Sequence, residues 1–252
     1  MGKIDDALQK AGGNLEKGKA DLPPVPSGFV TDYGYPIADF ANPNSPPAES
    51  YRTLRTNIQR TCQSRYLHTL LVAGASRGEG RTQTIANLAV IFSALEGNKT
   101  LLVDADLRNP RLHEIFGVEE GPGLADLLHG AATLDAVIRP TRIGNLKVIP
   151  SGRTVKGSAE LFHSPRFGEM IETLKLQHDI LLFDSPPVIP YTDAVILANH
   201  VEGIILVVKA RETRREVVHR AKMLLNQSQD KFVGVVLNSM EYVIPRPIYE
   251  KL

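Results

Sequence analysis

The sequence predicts an α/β domain with a mostly parallel central sheet and helices on both of its faces. Near-continuous runs of Val, Ile and Leu alternate with helical segments, which is typical of strands that are buried on both sides. The first of these runs leads into a glycine-rich turn, and a helical segment follows the turn. A length of 252 residues, with 42% hydrophobic and 23% charged residues, suits one such domain with flanking segments.

The elements of this domain follow each other regularly from residue 49 onward. Spaced apolar residues predict a first helix over residues 49–60, with Tyr51, Leu54 and Ile58 on one face. Ligands of a parallel sheet bind where the carboxyl ends of the strands meet, so these ends are the first place to search for a site. Further helices are predicted over residues 83–95, 124–128, 134–138, 166–176 and 213–227, and strands over residues 68–74, 99–104, 146–150, 179–184, 203–208 and 233–237.

Three regions are predicted along the chain. Residues 1–45 combine a short amphipathic helix with a flexible, proline-rich arm. Residues 46–240 carry the regular apolar pattern of a packed domain. Residues 241–252 form a C-terminal tail that contains two tyrosines.

Composition and charge exclude several classes of function. The net charge is +1, so no overall field draws the protein to nucleic acid or to a membrane surface. Cys62 is the only cysteine, which excludes an internal disulfide and a cysteine-based zinc site and fits a reducing cytoplasm. No apolar run approaches the ~18 residues that a transmembrane helix needs, and the start of the sequence lacks the apolar stretch of a secretory signal. We therefore expect a cytoplasmic protein that has no transmembrane segment and does not bind nucleic acid.

A phosphate loop is predicted at residues 74–82, with the sequence G-A-S-R-G-E-G-R-T. Glycines let backbone N–H groups converge on a phosphate, and the N-terminus of the following helix adds partial positive charge. Thr82 stands where the Walker A motif G-x-x-x-x-G-K-S/T places its Mg²⁺-binding hydroxyl. The first glycine of that motif is replaced by Ala75, with Gly74 one place earlier, and its lysine is replaced by Arg81. The strand, loop and helix together predict the fold of a P-loop NTPase.

Carboxylates end two other predicted strands. Asp104 and Asp106 follow the apolar residues 101–103, and Asp184 follows the apolar residues 181–183 as a Walker B aspartate does. In β geometry the side chains of Asp104 and Asp106 point the same way, so one can hold Mg²⁺ through water while the other serves in proton transfer. Together with the phosphate loop, the three carboxylates predict a nucleotide and metal site.

These motifs resemble those of the bacterial tyrosine autokinases of capsule and exopolysaccharide biosynthesis, in their stand-alone cytoplasmic form. The resemblance covers residues 46–240, and its most discriminating part is the Walker A′ pattern D-x-D-x-R, which ends at Arg108. The D-x-P sequence at Asp184 resembles the Walker B motif, and G-V-V-L-N, which ends at Asn238, resembles the adenine-binding segment of the family. The E-x-x-R-x-x-R pattern of residues 49–55 is similar to the helix that the family uses for ring-like self-association.

The resemblance implies a protein-tyrosine kinase that uses ATP and Mg²⁺ and regulates polysaccharide polymerisation and export. It assigns Asp106 to the incoming tyrosine hydroxyl, together with Asp104, Asp184 and Arg81 as catalytic residues. It assigns nucleotide binding to Gly78, Glu79, Gly80, Arg81, Thr82, Gln83 and Asn238, and metal binding to Thr82, Asp104 and Asp184. Self-association is assigned to Glu49, Arg52 and Arg55, and phosphate acceptance to Tyr242 and Tyr249.

Partners and location are also implied by the resemblance. The expected partner is a membrane polysaccharide co-polymerase or activator protein, which would hold the kinase at the inner face of the plasma membrane. Further copies of the chain are expected to assemble with it into a homo-oligomer.

Two departures from the family pattern leave alternatives open. Arg81 replaces the lysine with which the family grips phosphates, and we expect weakened catalysis because a planar guanidinium fits a tight phosphate nest less well than a compact ammonium. The tail carries two tyrosines where the family has a cluster. One alternative is therefore a nucleotide-binding adaptor of the same system without kinase activity. A positioning ATPase of the partition or cell-division type is a weaker alternative, because Ser76 occupies the position of its extra lysine.

Two charged segments have a plain structural interpretation beside the functional one. The residues of the E-x-x-R-x-x-R pattern can form ion pairs along one solvated helix, or they can contact another subunit. A basic segment follows the strand at 203–208 and is either a solvated helix face or a contact for an acidic partner or membrane surface. Its members are Lys209, Arg211, Arg214, Arg215, His219 and Arg220.

Overall fold

The computed structural model describes residues 45–62, 67–153, 158–225 and 231–239. The predicted N-terminal helix and arm, apart from residue 45, lie outside the described residues. The same holds for the predicted tail with Tyr242 and Tyr249.

Seven strands of the described chain form one sheet. They are β1 (Thr69–Gly74), β2 (Thr100–Asp104), β3 (Arg139–Pro140), β4 (Leu146–Ile149), β5 (Ile180–Asp184), β6 (Gly203–Lys209) and β7 (Phe232–Asn238). Their spatial order is β3-β4-β2-β5-β1-β6-β7, and every neighbouring pair is parallel except β3 with β4. The predicted, mostly parallel sheet is therefore confirmed, while the short antiparallel β3 was not predicted.

Nine helices lie within the described residues, and none of them is both long and apolar enough to cross a bilayer. Six correspond to predicted helices, with ends that differ by a few residues. The other three (Leu112–Phe116, Ser158–His163 and Asp193–His200) have five to eight residues, too few to show a helical period. The helices are α1 (Pro46–Thr61), α2 (Arg81–Ser93), α3 (Leu112–Phe116), α4 (Leu124–His129), α5 (Leu134–Val137), α6 (Ser158–His163), α7 (Pro165–Lys175), α8 (Asp193–His200) and α9 (Arg215–Leu225).

Hydrophobic cores lie on both faces of the sheet, as the near-continuous apolar strands predict. Alternate residues of β1 face opposite sides, with Leu70 and Val72 in one core and Leu71 and Ala73 in the other. Helices α1 to α3 cover the first core, and α4 to α9 cover the second. This layering fixes the strands so that their carboxyl ends meet at one edge.

The register of the central strands brings the predicted site residues together at that edge. Asp104 lies directly opposite Asp184 in the β2–β5 pair. Val72 lies opposite Asp184 in the β1–β5 pair, so the phosphate loop leaves β1 two residues beyond this carboxylate. Strand order and register therefore place Asp184 between the loop and Asp104.

Candidate functional site

A cavity of about 690 Å³ opens beside the phosphate loop, within the size range of small-molecule sites. The loop and the helix that follows it form one wall. The segment after β2 and the ends of β6 and β7 form the others. Of the residues predicted to bind nucleotide, all seven line this cavity: Gly78, Glu79, Gly80, Arg81, Thr82, Gln83 and Asn238.

Glycines shape the phosphate loop at three positions. Gly78 and Gly80 have φ values of 78° and 86°, a left-handed conformation that is strained for residues with a side chain. At Gly74 the requirement is space, because a Cβ there would lie 2.6 Å from Glu79 Oε2 and 2.8 Å from Arg81 Cδ. The early glycine that departs from the Walker pattern is therefore needed to make room for two side chains of the loop itself.

The side chain of Glu79 is buried, although the residue lines the cavity. It is 2% exposed. Its Oε2 accepts a hydrogen bond from the Ser76 backbone N–H at 3.0 Å, and its Oε1 accepts one from the Thr213 hydroxyl at 2.8 Å. The Asn238 amide donates to the Glu79 carbonyl at 3.0 Å. Glu79 thus joins the loop to the ends of β6 and β7.

Arg81, at the position of the Walker lysine, is held within the loop. Its Nη1 donates to the Ser76 carbonyl at 2.8 Å, and its Nη2 lies 3.7 Å from Asp106 Oδ2. The residue is 8% exposed, and within the described residues its Nε has no hydrogen-bond partner. The guanidinium is therefore bound to the loop and to a carboxylate on the opposite wall of the cavity.

Thr82 contacts the carboxylate at the end of β5. Its hydroxyl donates to Asp184 Oδ2 at 2.7 Å, and the Ser185 N–H donates to Asp184 Oδ1 at 3.0 Å. Burial raises the pKa of Asp184 to about 7, against the opposing effects of the Arg81 charge and the Thr82 hydrogen bond. The predicted Walker B aspartate therefore holds a proton more tightly than an exposed aspartate does.

Asp104 is fully buried beside Asp184. Its Oδ2 accepts hydrogen bonds from the N–H groups of Arg111 and Leu112 at 3.1 and 3.0 Å. Its Oδ1 is buried and has no partner among the described residues. Burial, reinforced by the Asp184 charge, raises the pKa of Asp104 well above its usual value. An unpartnered carboxylate oxygen in a buried acidic pair fits a site that is completed by a cation.

Asp106 does not follow the period-two expectation, because β2 ends at Asp104. It lies in the turn after the strand, where its Oδ1 accepts from the N–H groups of Arg108 and Asn109 at 3.3 and 3.0 Å. Unlike Asp104, it lines the cavity. Burial raises the pKa of Asp106, although the Arg81 charge opposes the shift. The two carboxylates of the D-x-D pattern therefore face different surroundings, one in the interior and one at the cavity wall.

Arg77, Arg108 and Tyr191 also border the cavity, and the contacts that these residues make were not predicted from the sequence. Arg108 forms an ion pair with Asp193 at 3.0 Å and lies over the Tyr191 ring at 4.2 Å from its centroid. Arg77 of the loop donates to the Tyr191 hydroxyl at 2.8 Å. Asp193 is 0% exposed and also accepts from the Ser158 hydroxyl. The D-x-D-x-R pattern signalled Arg108, but no local pattern pointed to its partner 85 residues later.

The remaining predicted residues lie away from the cavity or outside the described chain. On α1, Arg52 pairs with Glu49 at 3.2 Å along the exposed side of the helix. Arg55 donates to the Ile91 carbonyl of α2 at 2.7 Å and ties the two helices together. Tyr242 and Tyr249 lie beyond the last described residue.

The cavity has the parts of a site for a phosphorylated ligand and a cation. The glycines of the loop and Arg81 line the cavity, and Thr82 is joined to a buried pair of aspartates. Among the described residues, no group of three or more His, Cys, Asp and Glu side chains forms a metal site. Mg²⁺ is commonly held by one or two carboxylates together with water and substrate phosphates, so the residues present fit a cation that arrives with a nucleotide.

Comparison with known proteins identifies this arrangement. Residues 65–250 match the family described as ParA: NUBPL iron-transfer P-loop NTPase. Tyrosine-protein kinase YwqD of Bacillus subtilis (strain 168) is 35% identical over 202 residues, which cover 80% of this chain and 85% of that protein. Putative tyrosine-protein kinase CapB of Staphylococcus aureus is 33% identical over 205 residues, 81% of this chain and 90% of that protein. The chain belongs to the bacterial tyrosine-protein kinase family.

The fold of this chain also matches a solved structure. The crystal structure of the chimerical protein CapA2B2 superposes with a TM-score of 0.78 at 32% identity, covering 82% of this chain and 90% of that one. The predicted family and the predicted P-loop NTPase fold are confirmed. Such a fold implies that this chain binds nucleotide.

Proposed function

We propose that this chain is an ATP-dependent protein-tyrosine autokinase that regulates capsule or exopolysaccharide polymerisation and export. The observation that carries the proposal is the contact of Thr82 with Asp184, with Asp104 opposite in the neighbouring strand. It joins a phosphate loop to an acidic pair at the edge of the sheet, and the kinase names of the relatives give the reaction class. Phosphoryl transfer depends mainly on such positioning and charge neutralisation.

In this proposal the acidic pair holds Mg²⁺ and the loop holds ATP. Thr82 and Asp184 would bind the cation directly or through water, and the unpartnered Oδ1 of Asp104 would gain a partner. Gly78 and Gly80 let backbone N–H groups turn toward the phosphates. Gln83 and Asn238 border the same cavity and would contact the nucleotide further from the phosphates. ATP supplies the phosphoryl group, and Mg²⁺ neutralises charge on its oxygens.

Asp106 is proposed to receive the proton of the acceptor tyrosine. Both aspartates are buried, but Asp106 lines the cavity and Asp104 does not, so of these two carboxylates Asp106 is the one that an incoming hydroxyl can approach. Its raised pKa makes it a better proton acceptor than an ordinary surface aspartate. The acceptors would be Tyr242 and Tyr249 of the tail, presented by the same chain or by a neighbouring copy.

Arg81 is proposed to weaken catalysis without abolishing it. To bind a phosphate, its guanidinium would have to break its hydrogen bond to the Ser76 carbonyl or donate to both groups at once. This feature favours a second candidate function, a nucleotide-binding adaptor that assembles with its partner and transfers no phosphate. A positioning ATPase is the weaker interpretation, because the chain belongs to the bacterial tyrosine-protein kinase family.

Assembly and location belong to the same proposal. The domain over residues 46–240 would self-associate through the exposed Glu49–Arg52 pair, while Arg55 holds α1 on the domain. A membrane polysaccharide co-polymerase or activator would bring the cytoplasmic domain to the inner face of the plasma membrane.

The test is phosphotyrosine formation by the purified chain with Mg²⁺-ATP, with and without the cytoplasmic segment of a candidate activator. Intact mass would count the phosphates, and peptide mapping would locate them. We expect phosphate on Tyr242 or Tyr249 from the native chain and none from Asp106→Asn. A native chain that binds Mg²⁺-ADP but forms no phosphotyrosine under either condition would favour the adaptor instead.

A further inference from the structure

The contact between Glu79 and Thr213 links the phosphate loop to a segment that no motif includes. Thr213 lies in the connection between β6 and α9, 134 residues after Glu79 in the sequence. Its hydroxyl donates to Glu79 Oε1 at 2.8 Å, while Glu79 Oε2 receives the Ser76 N–H at 3.0 Å. Both oxygens of a carboxylate that is 2% exposed are therefore engaged.

This double engagement fixes the shape of the loop. A buried carboxylate is costly unless its oxygens accept hydrogen bonds, so Glu79 is stable in its inward position only while both donors are present. The inward position draws Ser76 and Glu79 together across the first half of the loop. Gly74 provides the space for the Glu79 carboxylate because it has no side chain. A Cβ at position 74 would lie only 2.6 Å from Glu79 Oε2.

The main chain of Glu79 is held from a different side. The Asn238 side chain at the end of β7 donates to the Glu79 carbonyl at 3.0 Å. The next residue, Gly80, has φ of 86° and leads directly into α2, where Arg81 and Thr82 begin the helix. The orientation of Glu79 therefore sets the direction in which the second half of the loop enters the phosphate site.

We propose that Thr213 is a positioning residue of the nucleotide site, which holds the phosphate loop in its binding conformation through Glu79. Thr213 itself need not touch the ligand. Without its hydroxyl, one oxygen of Glu79 would lose its donor, and the carboxylate would turn toward the cavity, where it would repel phosphate. The share of molecules with a binding-competent loop would fall, and the apparent affinity would fall in the same proportion.

The inference rests on the proposed nucleotide site, and its test uses binding to the full chain in place of kinase activity. Mg²⁺-ADP affinity is measured by calorimetry for Thr213→Val, which removes the hydroxyl and keeps the shape, and for Thr213→Ser, which keeps the hydroxyl. We expect Thr213→Val to bind on the order of tenfold more weakly and Thr213→Ser to bind within about twofold of the native chain. Thr173→Val, the same change at an exposed threonine of α7, is the matched control and should not alter binding.

A double-mutant cycle separates a positioning role from a merely structural one. If Thr213 acts through Glu79, Thr213→Val combined with Glu79→Gln will bind Mg²⁺-ADP no more weakly than the weaker single variant. Additive losses would overturn the proposal, as would native affinity in Thr213→Val. Should Thr213→Val fail to fold, Thr213→Ala replaces it in the cycle and is judged by the same outcomes. A native chain that does not bind Mg²⁺-ADP would overturn the proposed nucleotide site as well.

Discussion

Thr82 Oγ1 donates a hydrogen bond of 2.7 Å to Asp184 Oδ2 and so joins the start of α2 to the end of β5. The two residues are 102 positions apart in the sequence. In the absence of a cation, this contact supplies one partner to a carboxylate in a buried acidic pair. Under the proposed function, Mg²⁺ held by Thr82 and Asp184 would compete with this hydrogen bond.

Removal of the Thr82 hydroxyl is expected to uncouple nucleotide binding from Mg²⁺. Thr82→Val keeps the shape of the side chain but can no longer bind the cation or donate to Asp184. The affinity for ADP with Mg²⁺ should fall by about tenfold or more, and the affinity in EDTA should change much less. Calorimetric titrations under both conditions provide the comparison, with Thr82→Ser as the variant that keeps the hydroxyl. If Mg²⁺ raised the ADP affinity of Thr82→Val as much as that of the native chain, the hydroxyl would not be a ligand of the cation.

Stability without nucleotide should depend on pH through Asp184. Its folded-state pKa of about 7 lies above the ordinary value of 3.8, so the folded protein binds protons more tightly than the unfolded chain. This contribution is fully present below about pH 4 and is lost as the pH rises through 7. Asp184→Asn cannot ionise, so we expect it to be more stable than the native chain at pH 8, by on the order of 1 kcal/mol or more.

Thermal unfolding at pH 8 and pH 4.5 measures this difference. A change of 1 kcal/mol corresponds to about 2–4 °C for a domain of this size. Asp184→Asn should raise Tm at pH 8 and change it much less at pH 4.5. Glu169→Gln, at an exposed position on α7, is the control and should give the same small effect at both values. A Tm gain that is equal at the two pH values would contradict the assigned cause.

The sequence predicted the parts of the site that depend on one strand and the turn after it. The apolar runs that end in Asp104 and Asp184 are local patterns. Because ligands bind at the carboxyl ends of parallel strands, both residues could be assigned to one site. The roles of Gly78 and Gly80 could also be predicted, because the loop that contains them is continuous in sequence. Six of the seven described strands and six of the nine described helices followed from the apolar pattern.

Contacts between distant segments could not be predicted in this way. Glu79 was assigned to nucleotide from its place in the loop, but its side-chain direction depends on Thr213, 134 residues away. Arg108 was part of a motif, yet its partner Asp193 begins a helix of eight residues, too short to show a period. Pairing at these positions is decided by tertiary packing, which a single sequence does not display.

The ion pair of Arg108 with Asp193 should contribute measurably to stability. Asp193 is buried and also accepts from Ser158, while the Arg108 side chain is 33% exposed. Asp193→Ala leaves an arginine without its carboxylate partner, and partial exposure of Arg108 reduces the cost to about 2 kcal/mol. Denaturant unfolding measures the loss. Glu172→Ala removes an exposed partner of Lys175 and should cost less than about 0.5 kcal/mol. Equal losses in the two variants would exclude a special role for the buried pair.

The two arginines of the α1 pattern are expected to separate assembly from folding. Arg52 pairs with an exposed glutamate, so Arg52→Ala should weaken self-association while changing the unfolding free energy by less than about 0.5 kcal/mol. Arg55 bonds to the Ile91 carbonyl, so Arg55→Ala should destabilise the domain by about 1 kcal/mol. Light scattering over a concentration series reports the first effect and calorimetry the second. If Arg52→Ala assembled like the native chain, α1 would not belong to the interface between subunits.

Replacement of Arg81 by lysine should increase phosphotyrosine formation. A lysine cannot reproduce the planar contact in which the guanidinium donates to the Ser76 carbonyl, and its compact ammonium is freer to turn toward the phosphates. We expect the rate of Arg81→Lys to rise by about tenfold or more, measured by intact mass over time with saturating Mg²⁺-ATP. Arg77→Lys makes the same change at a loop position bonded to Tyr191 and serves as the control. A rate at or below that of the native chain would mean that Arg81 already performs the work of the lysine.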